Sequence, residues 1–363
     1  MKIVSVVGTR PNLVKIAPLC QHISARYRQG IQHILIHTGQ HYDDALSGAF
    51  IRELQIPPPD VQLHTGSGTH AAQTARIMAA LEPVLVQEQP DWIIVPGDVN
   101  SSLAATLVAV KLNLKVAHLE AGLRSFDRSM PEEINRIITD SVSDLLLTPS
   151  AEADHNLLRE GIAPQRIRRV GNIMVDTLNT HLHAARNRDI LERLAINPGE
   201  YCYVTLHRPS NVDNAQTLNR IFESLRELSQ QLTIIFPVHP RTLERINNYC
   251  IPYLDNHRIK LIAPVAYLDS IKLLDAARFV LTDSGGLQEE STCLGKPCLT
   301  LRENTERPIT LTHGTNRLTR PETLSRDMAI LLEASQGAPP ALELWDGKTA
   351  ERIIKALLDM GDT

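Results

Sequence analysis

The sequence carries little net charge, no cysteine pairing pattern, no internal repeat and no long apolar run, and each absence removes a class of function. Against 37 lysines and arginines stand 41 aspartates and glutamates, so a formal charge of -4 offers no footprint for nucleic acid or an anionic membrane. Any anionic ligand must be held by local groups. Cys20, Cys202, Cys250, Cys293 and Cys298 show no metal-ligand spacing, and an odd number in a long chain argues against a disulfide framework. They read as buried thiols of a reducing compartment. The opening run Met1–Val7 is apolar, yet Gly8-Thr9-Arg10-Pro11 halts it far short of a signal core or membrane span, so a cytoplasmic location is expected.

What is present is a regular alternation. A chain of 363 residues exceeds what one core usually holds, which predicts two domains. Short β-branched runs alternate with longer helical patterns, the mark of parallel sheets covered by helices. The first half offers strands at Ile3–Val7, His33–Thr38, Trp92–Pro96, Val116–Leu119, Leu145–Thr148 and Ile167–Val170. The second offers Tyr201–Leu206, Leu232–Val238, Ile259–Ile262, Phe279–Leu281 and Cys298–Thr300. The boundary is expected near Gly171-Asn172, where the sixth strand gives way to a long polar helix. Ligands of open α/β sheets bind beyond the carboxyl ends of strands, so two such halves are expected to share a cleft between facing ends.

Chemistry-bearing residues gather at those ends. Gly8-Thr9-Arg10-Pro11 follows the first strand, with Thr9 suited to capping a helix, Pro11 to its first turn, and Lys15 one turn further in. Arg10 and Lys15 are candidates for a diphosphate, although a capped helix with solvated charges accounts for this segment taken alone. Asp98, after the third strand, reads either as an N-cap or as an acid at the cleft. Glu120 lies in His118-Leu119-Glu120-Ala121-Gly122-Leu123-Arg124, where small residues leave room beside a carboxylate; a Glu120–Arg124 ion pair is the competing reading. Ser129-Met130-Pro131-Glu132 fits a capping box in which Glu132 reaches back to the Ser129 amide. As a set, three acids and Arg124 from neighbouring strand ends converge on one opening, where like charges raise a carboxylate toward a working pKa.

In the second half, His207-Arg208 and His239-Pro240-Arg241 each put a histidine near an arginine at a strand end, which suits phosphate oxygens and a departing phosphate group. Thr282-Asp283-Ser284-Gly285-Gly286-Leu287-Gln288-Glu289-Glu290 follows an apolar run and opens a helix, so amides at Ser284, Gly285 and Gly286 are expected to cradle a phosphate. Glu290 stands one turn beyond Gly286, and its two acceptor oxygens suit the paired hydroxyls of a ribose. A solvated Glu289-Glu290 pair is the plainer alternative. A phosphate cradle together with a proton-transfer set implies a nucleotide-linked substrate.

These segments, with Pro131-Glu132-Glu133-Ile134-Asn135-Arg136, Pro237-Val238-His239 and Thr305-Glu306-Arg307-Pro308, run in order from residue 1 to about Leu318. The series resembles the non-hydrolysing UDP-N-acetylglucosamine 2-epimerases. The resemblance implies an α/β fold of GT-B type, two Rossmann-like domains with an interdomain active-site cleft. Residues 1–171 would form the N-terminal domain, 172–345 the UDP-binding domain, and 346–363 a C-terminal helix crossing back to the first. It also implies an isomerase and a homodimer, acting on a UDP-linked amino sugar with no metal or other cofactor.

Carried to matching positions, the family's acid/base set falls on Asp98, Glu120 and Glu132, with His207 assisting the diphosphate. The uracil would lie against the Val265–Ser270 loop, the ribose on Glu290, and the diphosphate among Arg10, His207, Ser284, Gly285 and Gly286. Arg307 joins that nucleotide pocket, and Lys15 and Arg124 complete the substrate-binding set. Some family members are activated by substrate in a second pocket; Gln40, Glu132, Arg208 and His239 match positions implicated there, whereas Asp43, Ser67 and Ser210 depart from that pattern. Rival readings are a 2-epimerase of UDP-2,3-diacetamido-2,3-dideoxyglucuronate, a GT-B glycosyltransferase, and a silent nucleotide-sugar sensor. Three acids beside the sugar favour elimination over transfer.

Overall fold

The structure, a computed structural model, describes residues 1–363 apart from 28, 41–43, 252–256, 334–337 and 361–363, and omits the side chains of 44–47 and 49. Seven strands form one sheet: β1 (Lys2–Val7), β2 (Gln32–His37), β3 (Val61–Gln62), β4 (Trp92–Pro96), β5 (Lys115–Leu119), β6 (Leu145–Thr148) and β7 (Ile167–Arg169). Their order is β3-β2-β1-β4-β5-β6-β7. A second sheet holds β8 (Tyr201–Thr205), β9 (Thr233–Pro237), β10 (Ile259–Ile262), β11 (Phe279–Thr282), β12 (Cys298–Leu301) and β13 (Asn316–Thr319), in the order β10-β9-β8-β11-β12-β13.

Every pairing in both sheets is parallel. Parallel strands are covered on both faces, which is why their sequences read as unbroken apolar runs. Val4, Val6, Ile34, Ile36, Ile93, Val95 and Val116 pack in one core, and Val204, Ile234, Phe236, Phe279, Leu281, Leu299 and Leu301 in the other. Both orders are the doubly wound Rossmann arrangement. Each sheet reverses direction of strand addition once, between β1 and β4 and between β8 and β11, and there the loops leaving neighbouring strands diverge to admit a ligand.

Two compact units result, Met1–Asn179 with Glu343–Thr363, and Thr180–Leu342. The division therefore falls inside the helix Ile173–Arg186, eight residues beyond the expected Gly171-Asn172. The first half of that helix is bound into the first unit, since the Thr177 hydroxyl donates to the Val14 carbonyl at 2.6 Å. The returning segment begins at Glu343 rather than at 346, and its helix Thr349–Asp359 packs in the first unit. Asp176 caps that helix, accepting from the Thr349 amide at 3.1 Å and the Ala350 amide at 2.8 Å. Asp176→Ala is expected to cost ~1 kcal/mol, as loss of a helix cap does, and to speed hydrogen exchange in residues 349–359 before the rest of the unit. Unchanged exchange there would show the cap to be idle.

Cys20, Cys202 and Cys298 are buried as expected, but Cys250 is exposed, on the turn after the helix Pro240–Asn248. Among the described residues no helix is long and apolar enough to cross a membrane.

Candidate active site

In the first unit one asparagine joins the exits of β1 and β4. Asn12 Oδ1 accepts from the Gly8 and Thr9 amides at 3.2 Å each, and its Nδ2 donates to the Pro96 carbonyl at 2.9 Å. Thr9 is the N-cap of the helix Arg10–Arg26, with Pro11 in its first turn. Arg10 is half-buried, its guanidinium 5.8 Å from the Phe50 ring centroid. Lys15 does not face outward: its ammonium meets Glu120 Oε2 at 2.5 Å, with only 8% and 4% of the two side chains exposed. Gly97 makes room for this pair, because its φ is +68° and a Cβ there would lie 2.7 Å from Lys15 Nζ. Glu120 itself has φ +70°. A non-glycine residue held in that left-handed region costs about 1–3 kcal/mol, and such residues persist where surrounding structure imposes them.

Asp98 is not an N-cap; Val99 takes that position ahead of the helix Asn100–Lys111. The Asp98 carboxylate instead accepts from Arg136 Nε at 3.0 Å and pairs with its Nη2 at 2.8 Å, while Asn135 Nδ2 donates to the Asp98 carbonyl at 2.8 Å. Both partners lie on the helix Pro131–Val142, whose first turn carries Glu132. The capping box expected at Ser129 does not form. Pro131 takes the first helical position, so the third falls on Glu133, which reaches back to the Ser125 amide at 3.0 Å and the Phe126 amide at 2.9 Å. Glu132 is left half-buried, with no hydrogen bond or ion pair to any described residue.

Arg124 departs furthest from expectation. It pairs with neither Glu120 nor a cleft: its guanidinium is 1% exposed and held by Asp140 and Glu160 at 2.6 Å each. Asp140 also accepts from the Gly122 amide at 3.1 Å and meets His118 Nδ1 at 2.6 Å, and His118 Nε2 lies 2.9 Å from the Gly97 carbonyl. Burial pushes the Asp140 pKa up, but the charges and hydrogen bonds of His118 and Arg124 outweigh it and hold the carboxylate below its ordinary range.

The second unit repeats the design with different groups. Thr205 and Thr282 end β8 and β11, and their hydroxyls hydrogen-bond at 2.7 Å. Asp283 follows, fully buried, and accepts from the His207 amide at 3.0 Å, the Arg208 amide at 2.8 Å and Asn211 Nδ2 at 3.0 Å. It also binds His207 Nδ1 at 2.8 Å, which fixes an otherwise 53% exposed ring with Nε2 turned away from Asp283. Burial raises the Asp283 pKa, yet these donors lower it further, leaving the carboxylate below its usual range.

Ser284 is the N-cap of the helix Gly285–Cys293, so Gly285 and Gly286 stand at its start as expected. The Ser284 amide itself donates to Thr282 Oγ1 at 3.0 Å, which takes it out of the cradle. Arg307 packs on Gly285, where a Cβ would collide with its Nη1, and it pairs with Glu306 and, at 3.0 Å, with Glu289. It thus buttresses the helix start.

Glu290 is buried, against the plainer alternative of a solvated pair, and accepts from the Tyr267 hydroxyl at 3.1 Å. Desolvation raises its pKa; the Tyr267 bond opposes this and Glu289 adds to it, for a value of about 8. Tyr267 opens the helix Tyr267–Ala276, so the expected Val265–Ser270 loop is in part helical: Val265 precedes the helix, and Ser270 lies on its first turn with Oγ 2.8 Å from the Tyr203 hydroxyl. In the folded protein Glu290 keeps a proton between its ordinary 4.5 and about 8 that the unfolded chain has lost, so stability falls as pH rises across that window. Glu290→Gln removes that slope. Its melting temperature is expected to exceed the parent's by a margin that widens from pH 5 to pH 8; a constant margin would place the proton elsewhere.

Gln40 is buried, its Oε1 accepting from the Ser101 amide at 3.2 Å and hydroxyl at 2.7 Å. Arg208 Nε donates to the Asp283 carbonyl at 3.0 Å. His239 is exposed and caps the helix Pro240–Asn248, accepting from the Arg241 amide at 3.3 Å. Asp43 lies outside the described residues. No group of acids, histidines and cysteines that could hold a metal occurs among the described residues.

Sequence reasoning did not single out Asn12, His118, Arg136, Asp140, Tyr267 or Asp283 as site residues, although most lie inside the motifs it used. A usable signal was present for Arg136, one helical turn after Glu132 and so on the same face.

Two Rossmann-like units with reactive groups at both switch points define a chain of GT-B type. A family model described as UDP-N-acetylglucosamine 2-epimerase matches residues 24–358, and the chain belongs to that family of isomerases. It is 42% identical over 366 residues to the UDP-N-acetylglucosamine 2-epimerase of Methanocaldococcus jannaschii, covering 98% of this chain and 99% of that one. The crystal structure of the M. jannaschii enzyme in complex with UDP-GlcNAc and UDP matches with a TM-score of 0.90 and 41% identity, over 99% of this chain and 100% of that one. The UDP-2,3-diacetamido-2,3-dideoxy-D-glucuronate 2-epimerase of Pseudomonas aeruginosa is 40% identical over 333 residues, 91% of this chain and 90% of that protein.

Proposed function

We propose that the protein interconverts UDP-N-acetylglucosamine and UDP-N-acetylmannosamine by inverting carbon 2 of the hexose. The supporting observation is Glu120, a carboxylate held buried in left-handed backbone against Lys15 at the β5 exit, beside the loop that carries Asp98. No carbonyl adjoins carbon 2, so an enolate is not accessible. A carboxylate of the first unit takes the carbon-2 proton, the electron pair forms a carbon 1–carbon 2 double bond, and the bond from carbon 1 to the diphosphate oxygen breaks with its electrons on UDP. The intermediate is 2-acetamidoglucal. Protonation of carbon 2 on the opposite face, with return of UDP to carbon 1, gives the epimer.

Asp98, Glu120 and Glu132 form the acid/base set, and Lys15 pairs with the buried Glu120. Departure of UDP is eased by His207 Nε2, by Arg10 and by the amides opening the helix Gly285–Cys293. Glu290 receives the ribose hydroxyls, and Val265 and Ser270 flank the uracil. In this reading the hexose is handled by the first set and the nucleotide by the second. The same reading makes the protein a cytoplasmic homodimer with no cofactor.

Substrate carrying oxygen-18 in the bridge between carbon 1 and phosphorus tests the bond broken. The label is expected to scramble into the non-bridging β-phosphate oxygens during turnover; epimer forming without scrambling rejects the elimination. The likeness to the diacetamido-glucuronate epimerase supports a second reading, that sugar as substrate. Comparison of kcat/KM for the two sugars decides between them. Because Gln40 is occupied by Ser101, UDP-N-acetylmannosamine alone is expected to turn over without a lag, and a lag abolished by traces of UDP-N-acetylglucosamine would restore the second pocket.

A further inference from the structure

Asp98 and Glu120 stand on separate loops, after β4 and β5, and elimination needs their separation fixed to a fraction of an ångström. The residue placed to fix it is His118. It lies on β5 two positions before Glu120, it is fully buried, and each ring nitrogen has an acceptor within reach. Nε2 is 2.9 Å from the carbonyl of Gly97, the residue preceding Asp98. Nδ1 is 2.6 Å from Asp140 Oδ1, and Asp140 Oδ2 takes the Gly122 amide at 3.1 Å and Arg124 Nη1 at 2.6 Å, both in the loop that follows Glu120. Burying an imidazole and a carboxylate costs free energy unless every polar atom is matched, and packing alone would be served as well by apolar side chains.

We propose that His118 and Asp140 are positioning residues, a buried pair that grips the Gly97 carbonyl on one side and the Gly122 amide on the other and so sets the spacing of the Asp98 and Glu120 carboxylates. Neither touches substrate. The inference rests on the epimerase reading for its catalytic consequence, but the grip on the loops can be measured independently.

Two isosteric variants separate positioning from mere stability. In His118→Asn the side-chain amide nitrogen replaces Nδ1, keeping Asp140 and leaving the Gly97 carbonyl without its donor. In His118→Gln it reaches the Nε2 position and keeps the Gly97 bond. His118→Asn is expected to lose about 100-fold in kcat, the scale of an ångström's misplacement, with the dissociation constant for UDP unchanged, and His118→Gln to recover about tenfold of that loss. Amide exchange at residues 97–100 is expected to quicken in His118→Asn and not in His118→Gln. If neither folds, Asp140→Asn, which keeps the volume and one acceptor, should show lower kcat at unchanged UDP affinity. Equal kcat in the two histidine variants, parallel loss of UDP affinity, or unaltered exchange at 97–100 would overturn the proposal. Absence of epimerisation in the parent protein would reject the functional reading instead, and the exchange measurement would still decide whether His118 holds the loop.

Discussion

Glu120→Gln is expected to abolish deuterium entry at carbon 2 of the substrate while UDP still binds. Removal of a proton-transfer group costs roughly 10²–10⁴ in rate, and Glu120 is the acid whose surroundings are most completely built. Its backbone is held at φ +70°, and its carboxylate shares a buried contact of 2.5 Å with Lys15. The same substitution leaves Lys15 charged and buried without a counter-ion, so a stability loss of about 3 kcal/mol should accompany it. The two effects separate in the double variant Lys15→Met with Glu120→Gln, which is expected to regain most of the stability and none of the exchange. Return of activity along with stability would make Glu120 a structural partner of Lys15 and nothing more. Asp98→Asn, which keeps one acceptor for Arg136, should lose exchange with little change in melting temperature.

Asp283→Ala should have the largest effect on stability. Four donors converge on this fully buried carboxylate: the amides of His207 and Arg208, Asn211 Nδ2 and His207 Nδ1. Truncation leaves the buried donors unmatched, which costs about 3–5 kcal/mol when one partner of a buried charged network is removed. The loss should appear in urea unfolding as an earlier transition of the second unit, Thr180–Leu342. UDP affinity and turnover should fall together, because the His207 ring loses the partner that orients it. His207→Ala is the contrasting case: with half of the side chain exposed and three donors left on Asp283, it should reduce kcat by roughly 10²-fold, as loss of a leaving-group donor does, and lower the unfolding midpoint far less than Asp283→Ala does. A loss below about 1 kcal/mol in Asp283→Ala would mean that water replaces the carboxylate at the β11 exit.

The sheets were legible because parallel strands are apolar along their whole length and end abruptly at glycine or proline. Val95-Pro96-Gly97 announces the β4 exit in this way. The two strands that escaped notice lacked that signal: β3 has only Val61 and Gln62, and β13 is an edge strand, Asn316–Thr319, whose Arg317 faces solvent. Positions of the acids followed from the strand ends, but their partners did not. Which cation meets Glu120 depends on how the helix after β1 lies beside the β5 exit, and nothing local distinguishes Lys15, 105 positions away, from Arg124, four away. Local spacing favoured Arg124, and Asp140, hidden in an ordinary helical pattern, claimed it. The boundary between units was misplaced for a similar reason. Gly171-Asn172 looks like a break, whereas the hydrogen bonds of Thr177 and Asp176 that carry the chain on into the first unit connect to residues 163 and 173 positions away.

The most direct test is proton NMR of UDP-N-acetylglucosamine with the parent protein in deuterium oxide. Carbon 2 should acquire deuterium in both epimers as they equilibrate, since each inversion removes one hydrogen and returns another from a group open to solvent exchange. Accumulation of the manno epimer with its original carbon-2 hydrogen, or no reaction with any UDP-N-acetyl sugar, would contradict proton transfer by Asp98, Glu120 and Glu132.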